Sequence, residues 1–82
     1  MKILIVNGPN LNLLGEREPE VYGSESLADV NAWIAEQAAA QGHELVFFQS
    51  NHEGVIIDHL QAHRREADAV IINPGGLTHY SV

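Results

Sequence analysis

Apolar runs of strand length alternate with segments of helical period along this chain. The runs are Lys2–Val6, Glu44–Gln49 and Ala69–Ile72, and each is rich in β-branched or aromatic residues. Continuous apolar runs of this kind are typical of strands buried on both faces of a parallel sheet. The resulting order, β-α-β-α-β, predicts a doubly wound α/β fold with right-handed crossovers between its strands.

Two helices are predicted between these strands. Ser26 can cap the first, with Asp29 as its capping-box partner, and Gly42 provides a natural stop. The second opens at residues 50–53. In the first helix the predicted apolar positions are Leu27, Val30, Ile34 and Ala38, and Trp33 flanks them. In the second helix they are Ile56, Leu60 and Ala67, and Ile57 widens this apolar face.

The predicted strand order is flavodoxin-like, 2-1-3, so that strands 1 and 3 are neighbours at the switch point. Ligands of such sheets bind outside the carboxyl ends of the strands at that point. The loops at residues 7–23 and 73–80 follow these two strands and carry most of the unusual residues of the chain. The sequence therefore predicts a site where the two loops meet.

Length and composition limit the classes of protein. With 82 residues the chain suits a single domain, and its third strand would leave an apolar sheet edge uncovered. We therefore expect residues 1–82 to form the first part of a longer domain, truncated after the third strand and its loop. A net charge of −7 argues against a nucleic-acid surface, and the absence of cysteine excludes disulfides. No apolar run reaches the roughly 18 residues of a membrane span, which favours the cytoplasm.

Arg17 and Tyr22 lie in the first loop among several glutamates. A guanidinium beside a phenol favours the phenolate, so the pair could form a general base. A surface arginine that neutralises local acid, with a packed tyrosine, is the commoner arrangement in a charged loop.

The second loop begins Asn73-Pro74-Gly75-Gly76 and reaches His79. Its glycines permit close backbone approach to a ligand, while Asn73 and His79 offer donors and acceptors. A turn that leads into a capped helix is the structural alternative. His59 and His63 lie four residues apart on the second helix, where solvated histidines are favoured over a metal site because no further ligand is evident.

Four motifs together resemble one family, type II 3-dehydroquinate dehydratase. The motifs run in the family's order, and the resemblance covers all 82 residues in register. The motifs are residues 5–15 (IVNGPNLNLLG), residues 17–23 (REPEVYG), residues 49–54 (QSNHEG) and residues 73–82 (NPGGLTHYSV).

The resemblance implies a lyase of the shikimate pathway that needs no metal or cofactor. The expected role is in chorismate and aromatic amino acid biosynthesis, and a catabolic role in the use of quinate stays open. Such an enzyme removes water from 3-dehydroquinate by anti elimination through an enolate. Tyr22 would be the base, Arg17 would lower its pKa, and Asn10 would hold a water that stabilises the enolate. Asn73 and His79 would bind hydroxyl groups of the substrate.

The family's pattern continues beyond Val82. The resemblance places the histidine general acid in that further region, together with other substrate-binding groups, so we expect the 82 residues alone to be inactive. It also implies trimers assembled into a dodecamer.

Two other classes share this predicted fold. A small-molecule-binding module, for a phosphate or flavin, needs a run of N–H donors after strand 1, where Pro9 stands instead. A phosphorelay receiver needs acidic residues after strand 1 and an aspartate at the end of strand 3, where this chain has Asn7 and Asn73.

Overall fold

The computed structural model describes residues 1–16 and 24–75. Its sheet contains β1 (Lys2–Asn7), β2 (Glu44–Gln49) and β3 (Ala69–Asn73), all parallel, in the order β2-β1-β3. The helices are α1 (Leu27–Ala40) and α2 (Glu53–His63), and a 3-10 helix (Leu11–Leu13) follows β1. The predicted α/β class and the 2-1-3 strand order are confirmed.

The core lies around β1, the central strand. Leu4 and Val6 are fully buried on one face, where Ile56 of α2 packs against them. Other side chains that pack against this core are Val46, Phe48, Leu60 and Ala67. On the opposite face, side chains of α1 and of the three strands line a common groove, which includes Ile5, Ile34 and Ile71.

Local hydrogen bonds fix both ends of α1. Ser26 Oγ accepts the Asp29 N–H, and Asp29 Oδ2 accepts the Ser26 N–H, so the predicted capping box is present. After the helix, the His43 N–H donates to Ala38 O while Gly42 adopts a φ of +79°. This is a Schellman motif, in which glycine takes the left-handed position.

Two sequence predictions about the helices need correction. Ala67, predicted on the apolar face of α2, lies beyond the end of the helix, although it still contacts the core. Trp33 is 63% exposed and Ile57 is 44% exposed, so neither extends the packed stripe of its helix. Neither described helix is long and apolar enough to cross a membrane.

β3 is the uncovered apolar edge strand that the sequence predicts for residues 1–82, although its composition is typical of a buried strand. Val70, Ile71 and Ile72 are between 45% and 58% exposed. Within the described residues β3 pairs with β1 alone, and open grooves separate it from α1 and α2. Its apolar residues therefore face space that no described element fills.

Candidate functional site

Three amide residues end the three strands side by side. Asn7 is in register with Gln49 on one side and with Asn73 on the other. Because the strands are parallel, all three residues lie at the carboxyl edge of the sheet, where ligands of doubly wound folds bind. The sheet thus presents a row of uncharged hydrogen-bonding side chains at the predicted location.

The loops after β1 and β3 are in direct backbone contact. The Gly8 N–H donates to Asn73 O over 2.8 Å. A Cβ on Gly8 would lie 2.7 Å from the carbonyl carbon of Pro74, and one on Gly75 would lie 2.8 Å from Pro9 O. Only glycine permits so close an approach at these two positions. The predicted convergence of the two loops is confirmed for their described residues.

Asn10 is held in an unusual backbone conformation at this edge. Its φ of 68° and ψ of −4° place it in the left-handed region, where asparagine is enriched among non-glycine residues. Its carbonyl accepts the Leu13 N–H over 3.0 Å and so begins the 3-10 helix. Its own N–H donates to Oδ1 of Asn51 over 2.9 Å. The Asn10 side chain is exposed. Asn10 lies three residues after β1, whose last residue, Asn7, is part of the row of amides.

Gln49 connects the β1 loop with the β2 loop. Its Nε2 lies 3.2 Å from Gly8 O, 3.2 Å from Asn51 Oδ1 and 3.4 Å from Asn12 Oδ1. All three atoms are acceptors, so the side-chain amide donates towards both loops. Gln49, the last residue of β2, thereby links the Gly8 backbone to the Asn51 side chain, which in turn accepts the Asn10 N–H.

Ser50 positions the segment between β2 and α2. It is 8% exposed, its N–H donates to Asn7 O, and its Oγ accepts the His52 N–H over 3.0 Å. This turn ties the β2 loop to the end of β1, which places Asn51 beside Asn10.

Asn73 is exposed at the end of β3. Its Oδ1 accepts the Gly75 N–H over 3.3 Å, an Asx turn that shapes the start of the second loop. Asn10 and Asn73 are the two predicted site residues that the structure places, on adjoining loops. Arg17, Tyr22 and His79 lie outside the described residues.

A histidine cluster lies along α2, between Phe48 near the end of β2 and Lys2 at the start of β1. His59 stacks on Phe48 with ring centroids 4.0 Å apart, and His63 lies 4.5 Å from His59. Both histidines are half-buried, so they are less exposed to solvent than the sequence predicts. Burial, followed by the neighbouring His63, lowers the pKa of His59.

Acidic and basic groups adjoin this cluster. Glu66 Oε2 lies 3.7 Å from His63 Nδ1 and 3.0 Å from Lys2 Nζ. The hydrogen bond from Lys2 is the main cause of the lowered pKa of Glu66. No three histidine or acidic side chains in residues 1–16 and 24–75 form a group that could hold a metal ion.

Gln49 and Asn51 belong to this edge of the sheet, although the sequence predicts residues 49–54 only as the entry of the second helix. The available signal was positional, because polar residues directly after a parallel strand lie at the same edge as those after its neighbours.

Comparisons with known proteins identify the family that the chain resembles. A family model described as dehydroquinase class II matches residues 1–82. The 3-dehydroquinate dehydratase of Herminiimonas arsenicoxydans is 65% identical over 81 residues, which cover 98% of this chain and 56% of that protein. The catabolic 3-dehydroquinase 1 of Neosartorya fischeri is 59% identical over 80 residues, which cover 98% of this chain and 53% of that protein.

A solved structure shares the fold. The crystal structure of type II dehydroquinase from Butyrivibrio crossotus has a TM-score of 0.91 and 48% identity, and the match covers 99% of this chain and 57% of that one. The chain spans about half the length of the curated relatives it matches.

Proposed function

We propose that the protein containing this chain dehydrates 3-dehydroquinate to 3-dehydroshikimate, because the chain belongs to the class II dehydroquinase family. The observation that carries this proposal is the family match over residues 1–82. The backbone contact between the loops that bear Asn10 and Asn73 supports it. The proposal extends to the protein's place in the shikimate pathway.

The proposed reaction is an anti elimination in two steps. The Tyr22 phenolate takes the proton from C2, and the electrons of that C–H bond pass into an enolate with the adjacent ketone. The enolate then forms the ring double bond while the neighbouring C–O bond breaks. The departing hydroxyl takes a proton from a general acid and leaves as water, so the substrate loses one water and no redox change occurs.

The chain's own residues have distinct proposed roles. Arg17 lowers the pKa of Tyr22 by favouring its charged form. Asn10 orients a water towards the developing enolate oxygen, a fixed dipole of the kind that stabilises oxyanions. Asn73 and His79 hydrogen-bond the hydroxyl groups of the substrate. Asn10 and Asn73 suit these roles because both are exposed beside the same edge of the sheet.

Replacement of the proposed base tests the function. Tyr22→Phe removes the phenol oxygen that accepts the proton, so kcat for 3-dehydroquinate should fall by about 10²–10⁴-fold. Formation of the conjugated enone product can be followed by ultraviolet absorbance. The matched control is Trp33→Phe, which changes an exposed aromatic side chain on α1, outside both site loops.

Two results would contradict the proposal. The intact wild-type protein could fail to form the enone from 3-dehydroquinate, which would remove the dehydratase function. Alternatively, Tyr22→Phe could turn over as fast as Trp33→Phe and the wild type, which would leave the reaction but assign the base to another group.

The remaining predictions concern the general acid, the further substrate contacts, the larger domain, the oligomer and the location of the protein. We propose that the general acid and the remaining substrate contacts come from outside residues 1–82, since the chain spans about half the length of its relatives. In the same proposal, residues 1–82 contribute three strands to one larger flavodoxin-like domain. The trimer-based dodecamer and the cytoplasmic location stay predictions from the sequence.

A further inference from the structure

We propose that Asn51 is a positioning residue that sets the backbone of Asn10 and thereby aims its carboxamide. The inference rests on the proposed function, in which Asn10 orients the water beside the enolate. Asn51 itself is assigned no contact with substrate. It acts through the 2.9 Å hydrogen bond between its Oδ1 and the Asn10 N–H.

Asn10 depends on an outside group for its conformation. It precedes the 3-10 helix in the left-handed region, and its own side chain makes no capping hydrogen bond there. The left-handed region is disfavoured for side chains with a Cβ, although asparagine tolerates it better than most, so a hydrogen bond to the Asn10 backbone stabilises this conformation. The Asn51 acceptor satisfies the Asn10 N–H in that conformation.

Asn51 is itself held from two directions. Gln49 Nε2 donates to Asn51 Oδ1 over 3.2 Å and also reaches Gly8 O. Ser50, which directly precedes Asn51, is buried, and its N–H donates to Asn7 O at the end of β1. The oxygen that accepts the Asn10 N–H is therefore fixed relative to the backbone two residues before Asn10.

The location of Asn51 separates positioning from folding. Its side chain is exposed, and it lies between β2 and α2 rather than within either. Truncation there opens no cavity in the core around Leu4 and Val6. Loss of its oxygen should therefore change the geometry at Asn10 much more than the stability of the protein.

Three variants of the intact protein test this role. Asn51→Ala removes the acceptor, Asn51→Asp keeps an oxygen at the same position, and Gln61→Ala removes a similar amide from the exposed surface of α2 as a control. Because an error of about 1 Å in a catalytic group can cost roughly 10²-fold in rate, Asn51→Ala should lower kcat at least about tenfold. KM should stay within about threefold, since no substrate contact is lost. Gln61→Ala should match the wild type. Asn51→Asp keeps the acceptor but adds a negative charge near the developing enolate, so its restored acceptor is judged by hydrogen exchange and not by kcat.

A second readout does not depend on activity. Hydrogen exchange measured by mass spectrometry on a peptide covering residues 8–14 reports the Asn10 N–H. It should exchange faster in Asn51→Ala and return to the wild-type rate in Asn51→Asp. Gln49→Met, which removes the donor to Asn51 Oδ1, should speed the same exchange and lower kcat with little change in KM.

The outcomes separate this inference from the proposed function. Enone formation by the wild type with unchanged kcat in Asn51→Ala overturns the positioning role alone. A higher KM at unchanged kcat also overturns it, because Asn51 would then contact substrate. Unchanged exchange in residues 8–14 of Asn51→Ala, or exchange in Asn51→Asp as fast as in Asn51→Ala, overturns it as well. A wild type without turnover removes the dehydratase function, whereas the exchange data still decide whether Asn51 holds Asn10. Should Asn51→Ala not fold, Gln49→Met provides both readouts.

Discussion

At the scale of single residues, backbone contact decides how close the two site loops come. Gly8 and Gly75 have no Cβ, and each lies against the proline of the opposite loop. Their role is steric: a side chain on either would push the β1 and β3 loops apart. The spacing between Asn10 and Asn73 therefore depends on residues that carry no chemistry of their own.

Gly8→Ala should destabilise the intact protein by about 1–3 kcal/mol, because the new methyl group meets backbone atoms of Pro74 that cannot rotate away. It should also lower turnover by separating the two loops. Urea unfolding gives the stability change.

Gly54→Ala is the matched control for this substitution. A Cβ there meets nothing within 4 Å, and Gly54 lies in the first turn of α2. Alanine is favoured over glycine in a helix by up to about 1 kcal/mol, so this variant should be neutral or more stable. Equal effects of the two substitutions would show that the contact between Gly8 and Pro74 is not tight.

At the scale of elements, the stack of His59 on Phe48 docks α2 against β2. The groups facing His59 and its neighbour are Phe48 from β2, His63 from α2, Glu66 from the following turn and Lys2 from β1. Burial lowers the pKa of His59 because a charged imidazole loses hydration there. Docking of α2 therefore favours the neutral ring.

This lowered pKa predicts a loss of stability in mild acid. The unfolded chain binds a proton at His59 near its ordinary pKa of 6.5, whereas the folded chain resists protonation until lower pH. The free energy of unfolding should therefore fall as pH drops below about 6.5 and on towards the lowered folded pKa.

Substitution of His59 isolates this contribution. His59→Phe keeps an aromatic stack and His59→Gln keeps a polar side chain, yet neither titrates. Both should lose less stability than the wild type between pH of about 7.5 and 5.5, measured by urea unfolding. The ion pair of Lys2 with Glu66 is present in all three proteins and so does not account for a difference. Parallel pH profiles in all three proteins would contradict the assignment.

At the scale of the whole molecule, β3 is the feature that most needs explanation. Its side chains Val70, Ile71 and Ile72 are apolar on both faces, and all three are about half exposed. An exposed apolar edge strand is a site for unwanted pairing, which natural proteins avoid by covering it. We therefore expect β3 to be an interior strand of a larger sheet in the intact protein.

Hydrogen exchange of the intact protein checks this expectation. Amides of β3 that point towards β1 form the protected internal reference, since that pairing spans Ala69 to Asn73. Amides that point away from β1 should be protected to a similar degree if another strand pairs there. Exchange of the outward amides at loop-like rates would make β3 a true edge.

The sequence by itself determined the elements and their order. Apolar runs, helical periods and local caps such as Ser26 with Asp29 act over a few residues, so they can be read along the chain. The strand order follows because few topologies suit a β-α-β-α-β chain, and this order brings the loops bearing Asn10 and Asn73 to one edge.

The tertiary structure decided which side chains meet across that edge and which remain uncovered. The bond from Asn10 to Asn51 joins residues 41 positions apart, and the stack of Phe48 on His59 joins a strand to a helix. The composition of β3 is typical of a buried strand, but burial depends on neighbouring elements. None of the described elements fills the space beside β3. Such contacts depend on how segments that are distant in the chain pack against one another, and local sequence patterns do not encode that packing.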